Sequence, residues 1–139
     1  RIPQKDTWGV LMRRDAPLAK KEAIGPKDLW DKPLILSRQH RAGSALSMWL
    51  KREEADLNIV ATYSLLYNGS ILVDEGLGYA ITLDKIINTQ GGNLCFRPLI
   101  PTLQAGLCVV WKKYQVLTKA SELFLNTLQS NLETAESEA

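Results

Sequence analysis

Apolar residues recur in short runs separated by polar switches, and between residues 58 and 83 their spacing changes from strand-like to helical and back. In NIVATYSLLYNGSILVDEGLGYAITL, Ile59, Val60 and Ala61 form an apolar run and Thr62, Tyr63 and Ser64 a polar switch, with Ser64 placed to cap a helix. Leu65, Leu66, Gly69, Leu72 and Val73 then share one helical face. Gly76 suits the left-handed position after a helix, Gly78 permits a second tight turn, and Tyr79 to Leu83 reads as a strand covered on both faces. The stretch predicts one βαβ unit.

Around it the same alternation continues. Trp8 to Met12 predicts a strand, closed by Arg13, Arg14, Asp15 and Pro17. Pro26 opens a helical turn over Lys27 to Trp30, where its missing N–H costs nothing, and Pro33 stops it. Leu34, Ile35 and Leu36 form a short buried strand that gives way to Ser37, Arg38, Gln39, His40 and Arg41. A helix resumes after Gly43, with Ser44 as cap, Leu46, Trp49 and Leu50 as its apolar face and Lys51 to Glu54 as its solvated end. Leu94 to Leu99, interrupted by Arg97 and Pro98, reads as an edge strand. Leu107 to Trp111 predicts the last strand, and Thr118 caps a terminal helix whose Ala120, Leu123, Phe124, Thr127 and Leu128 share a face. The closing ETAESEA predicts a frayed acidic tail. Strands alternating with helices predict an α/β fold with a mainly parallel sheet flanked by helices.

The 139 residues, 45% of them hydrophobic, supply one compact core and not two. A formal charge of +2, spread without a dense basic block, argues against nucleic-acid binding by this segment. No run approaches the roughly 18 apolar residues of a membrane helix, and the opening RIPQKD lacks a secretory apolar core, so the chain reads as cytoplasmic and soluble. Cys95 and Cys108 are far apart in apolar surroundings and read as reduced packing residues, with no metal cluster and no cofactor motif. The terminal helix has apolar residues and nothing evident to cover them, and the first strand begins almost at residue 1. Both features suggest a piece of a larger protein.

In parallel strands joined by right-handed crossovers, Ser37, Arg38 and Gln39 should lie beside Thr62, Tyr63 and Ser64 at one edge of the sheet. Hydroxyls, an amide, the Arg38 charge and the free N–H groups beyond Ser64 would suit a small polar ligand, anions included. No catalytic constellation is present. His40, the only histidine, reads as a surface residue without a nucleophile or orienting partner, and Asp74 and Glu75 as solvated surface.

The segments DTWGVLMRRDAPLA, DLWDKPLILSRQ, NIVATYSLLYNGSILVDEGLGYAI, LCFRPLIP and GLCVVWKKYQVLTKASELFLNTL resemble, in that order, the carboxyl-terminal part of a LysR-type transcriptional regulator. The resemblance implies one lobe of an effector domain like type 2 periplasmic binding proteins. It places a second lobe at about residues 10–104 and a returning strand and helix of the first lobe at about 105–132, with the acidic 133–139 left as a disordered tail. It implies a small-metabolite effector held between two lobes, DNA contact only through an amino-terminal domain outside this chain, and a homo-oligomer. By position Ser37, Arg38, Gln39 and Thr62 match segments that contact effector in that family. Asp84 departs from the family pattern, which often has proline after this strand. The alternative is a solute-binding lobe of an exported transport-associated protein, and the reduced cysteines lean away from it.

Overall fold

In the computed structural model, which describes residues 1–137 (side chains to 135), the strands are β1 (Ile2–Arg13), β2 (Leu34–Ser37), β3 (Ile59–Tyr63), β4 (Tyr79–Leu83), β5 (Leu94–Pro98) and β6 (Gln104–Leu107). The helices are α1 (Pro26–Leu29), α2 (Ala45–Leu50), α3 (Leu66–Asp74) and α4 (Lys119–Ser137), with 3-10 turns at Pro17–Lys20 and Glu54–Asp56. The chain divides into two compact units, Thr7–Gln104 and Arg1–Asp6 with Ala105–Ala139.

The larger unit is built on the strand order β3-β2-β4-β1-β5. β2 runs parallel to both β3 and β4, whereas β1 runs antiparallel to both β4 and β5. The sheet is therefore mixed, and the mainly parallel sheet expected from the sequence holds only for its β3-β2-β4 part. Alternation of side chains along a strand explains why this sheet has two apolar faces. Val10 and Met12, Leu34 and Leu36, and Tyr79 and Ile81 project into a cluster with Leu29, Leu46, Trp49 and Leu50. Leu11, Ile35 and Ala80, their neighbours in sequence, project into a second cluster with Tyr63, Leu66 and Val73 of the β3-α3 segment.

The ends of α3 show how the βαβ unit is fastened. Its N-cap position is Leu65, which makes no side-chain cap, and Ser64 is exposed, so the capping role expected for Ser64 is not realised. Leu65 is likewise exposed and lies off the buried stripe of Leu66, Gly69, Ser70 and Val73. At the other end Gly76, at φ 81°, donates its N–H to Val73 O (2.9 Å) while Leu77 donates to Leu72 O (3.0 Å), the paired bonds of a left-handed helix stop. Gly78 serves a close approach and not a turn, because a β-carbon there would overlap the Pro33 carbonyl.

In the smaller unit, β6 pairs with β1 and lies earlier than the strand expected at Leu107 to Trp111. Of that apolar run only the first residue, Leu107, belongs to β6; 108–111 form no strand, and Val110 and Trp111 are exposed. α4 keeps Leu125, Leu128 and Leu132 partly covered, so of the apolar face expected from the sequence Leu128 holds, while Leu123 and Phe124 are exposed. The helix continues to Ser137, through most of the stretch expected as a tail at 133–139; residues 138–139 lie outside those described. Cys95 is buried, as expected, but Cys108 is exposed.

Candidate ligand-binding site

β2 and β3 end side by side. Ser37 pairs with Tyr63, Leu36 with Thr62, and the Arg38 N–H donates to the Tyr63 carbonyl at 2.9 Å. All six residues singled out from the sequence are thus gathered at the carboxyl ends of two parallel strands. They divide between opposite faces of the sheet, and not by the two-residue strand period, since adjacent Thr62 and Tyr63 share one depression while the paired Ser37 and Tyr63 are separated.

On one face, Ser37 and Gln39 line a pocket of about 230 Å³ with Trp8, His40, Ser44, Ala45, Leu46 and Ile81. The turn that shapes it is held by the His40 N–H donating to the Ser37 carbonyl (2.9 Å) and the Gln39 N–H donating to Ser37 Oγ (3.2 Å). Across the pocket Ser44 caps α2, its Oγ accepting from the Ser47 N–H at 3.2 Å. Leu46 and Ile81 belong to the core cluster, so the apolar wall is continuous with the interior. His40 is half-buried here, which corrects its reading as a surface residue.

On the other face, Arg38, Thr62, Tyr63 and Ser64 line a more open depression with Asn68, Gly69 and Leu72. Tyr63 is largely a structural residue in it. Its ring is buried, its hydroxyl donates to the Ile81 carbonyl at 2.9 Å, and Gly69 leaves room for the ring, since a β-carbon there would lie 3.0 Å from it. Burial pushes the Tyr63 phenol above its ordinary pKa, partly offset by a hydrogen bond with Thr82, so it stays neutral at physiological pH. Arg38, Thr62 and Ser64 are exposed.

Sequence reasoning missed Trp8, His40 and Ile81 as pocket-lining residues. Trp8 and Ile81 come from strands whose place beside β2 depends on strand order, which local patterning does not encode. Among the described residues no group of three or more His, Cys, Asp or Glu is placed to hold a metal ion. No described helix is long and apolar enough to cross a membrane.

Residues 4–133 match the family described as the LysR substrate binding domain. The chain belongs to that family. Solved structures of low sequence identity share its fold. HinK, a LysR family transcriptional regulator from Pseudomonas aeruginosa, is 19% identical with a TM-score of 0.70, over 93% of this chain and 46% of its own. The regulatory domain of CcmR from Synechocystis PCC6803, solved in complex with 2-PG, is 17% identical with a TM-score of 0.63, over 95% of this chain and 65% of its own. A full-length OxyR variant from Pseudomonas aeruginosa is 20% identical with a TM-score of 0.59, over 75% of this chain and 36% of its own. This chain therefore spans about half the length of HinK or less than that of OxyR. No curated protein sequence gives a significant match.

Proposed function

We propose that this chain is the effector-sensing part of a LysR-type transcriptional regulator, and that a small polar metabolite binds at the carboxyl ends of β2 and β3. The observation that carries the reading is the pocket of about 230 Å³ at the end of β2, where a tied polar turn faces an apolar wall. Pockets of this kind, mostly apolar with a few placed polar groups, are how α/β sheets hold small ligands. Ser37 and Gln39 reach that pocket, while Arg38, Thr62 and Ser64 offer further contacts on the adjacent depression. Tyr63 contributes by fixing the strand end.

Ligand binding would favour one arrangement of the effector domain over another, and the regulator's subunits would be respaced on DNA as populations shift. DNA contact belongs to a helix-turn-helix domain elsewhere in the same protein, and the working form is a homo-oligomer in the cytoplasm. The family membership and the CcmR complex support a small-molecule effector. In the intact regulator, Ser37→Leu should abolish the transcriptional response to effector while operator affinity in a gel-shift titration stays within about two-fold. A variant that responds normally would remove the pocket from the account.

A further inference from the structure

We propose that Trp8 selects the ligand of the pocket at the end of β2, which would be a small molecule with a flat apolar body and a carbonyl or carboxylate acceptor, and not a cation. This rests on the assignment of that pocket as the ligand site. Trp8, Trp30 and Trp49 lie in the larger unit, and two of them use their indole N–H inside the protein: Trp30 Nε1 donates to Leu50 O at 2.9 Å and Trp49 Nε1 to Pro101 O at 2.7 Å. Trp8 Nε1 has no acceptor among the described residues, yet it is not sealed in protein, because no buried side-chain nitrogen or oxygen among them lacks a partner. The donor therefore reaches open space, and Trp8 lines the pocket. An indole with an apolar face and an unsatisfied donor suits a ligand that is apolar at one end and an acceptor at the other.

The position of Trp8 is fixed before any ligand arrives. Its N–H donates to Leu103 O (2.9 Å), its carbonyl accepts from the Leu99 N–H (3.0 Å), and it pairs with Leu83 in the sheet. The remaining lining agrees in sign. Ser37 Oγ and Ser44 Oγ each accept from a backbone N–H, which leaves their O–H groups to donate, and Gln39 and His40 add further donor capacity. No aspartate or glutamate lines the pocket, so a cation would lose its hydration without a counter-charge, whereas an acceptor would meet several donors.

The test is a ¹H–¹⁵N titration of the intact ¹⁵N-labelled regulator, in which the indole signals of this chain's four tryptophans are assigned by substitution. The probes are phenylacetate, phenylacetamide and benzylammonium, which share a ring and differ in the charge and polarity of the head group. Phenylacetate or phenylacetamide should move the Trp8 indole signal saturably and leave those of Trp30 and Trp49 in place; the tighter of the two tells a carboxylate site from a neutral acceptor site. Benzylammonium should leave the Trp8 signal unmoved. Trp8→Phe keeps a ring and loses the donor, and should weaken the tighter probe about five-fold, read at the amides of Ser37 to Leu46. The Trp30 and Trp49 signals report that the variant is folded. Saturable shifts at Ser37 to Leu46 with the Trp8 indole unmoved, or equal affinity for benzylammonium, would overturn the selectivity while leaving the ligand site standing. Silence of both sets of signals with every probe would overturn both.

Discussion

Gly78 sits where no β-carbon fits, hard against the Pro33 carbonyl, and that carbonyl also accepts the Tyr79 N–H at 2.9 Å as β4 begins. Gly78→Ala forces the backbone to shift, and should cost about 1–3 kcal/mol, seen as a lower urea midpoint at unchanged slope. Asp28 is a second residue whose role is local. Burial alone would push its carboxyl up, but hydrogen bonds from Lys21 and the Gly25 N–H outweigh this and hold its pKa below the ordinary carboxylate value. A depressed carboxylate stabilises the fold fully above the unfolded value of about 3.9, and loses that contribution as pH falls through the folded value. Asp28→Asn should therefore cost about 1 kcal/mol at pH 7 by chemical denaturation, and the gap from wild type should close in strong acid. A gap that persists at low pH would assign the loss to packing and not to charge.

α2 shows an element whose logic is local and therefore legible. Ser44 caps it, Leu46, Trp49 and Leu50 bury one face, and Lys51 ends it at φ 55°. Ser44→Ala should cost about 1 kcal/mol in thermal or chemical unfolding. For α3 the same reasoning put the cap at Ser64, yet the helix begins beyond Leu65 because Leu66, Gly69 and Val73 are the residues that meet the sheet and the Tyr63 ring. Packing set the start there, and cap chemistry did not. The apolar run at 107–111 misled for the opposite reason. β propensity expresses fit to a half-buried surface, and beyond Leu107 this run forms no strand among the described residues. The strands themselves were readable because β1, β2 and β4 alternate between two apolar clusters, but direction is not a property of a single strand, and β1 proved antiparallel to both its neighbours β4 and β5.

At the scale of the whole molecule, the larger unit carries the two core clusters, whereas most α4 side chains are exposed. Hydrogen exchange should follow that contrast, with amides of β1 from Val10 to Met12, β2 and β4 the slowest and those of α4 markedly faster. Equal protection would show that α4 is covered by something its own unit does not supply. The candidate site was half legible in the sequence. Adjacent strand ends followed from βαβ geometry, so Ser37 and Tyr63 were placed together correctly. The division of six residues between two faces departs from the strand period at the strand ends and was not legible, and Trp8 and Ile81 join Ser37 only through the strand order β2-β4-β1. The central claim is that the pocket beside Ser37 holds the effector of a LysR-type regulator. It is tested most directly by thermal unfolding of the intact regulator and its Ser37→Leu variant against a panel of small metabolites. A ligand at 100 times its Kd should stabilise the wild type by about 2.7 kcal/mol and leave the variant unmoved; equal stabilisation of both proteins would contradict the claim.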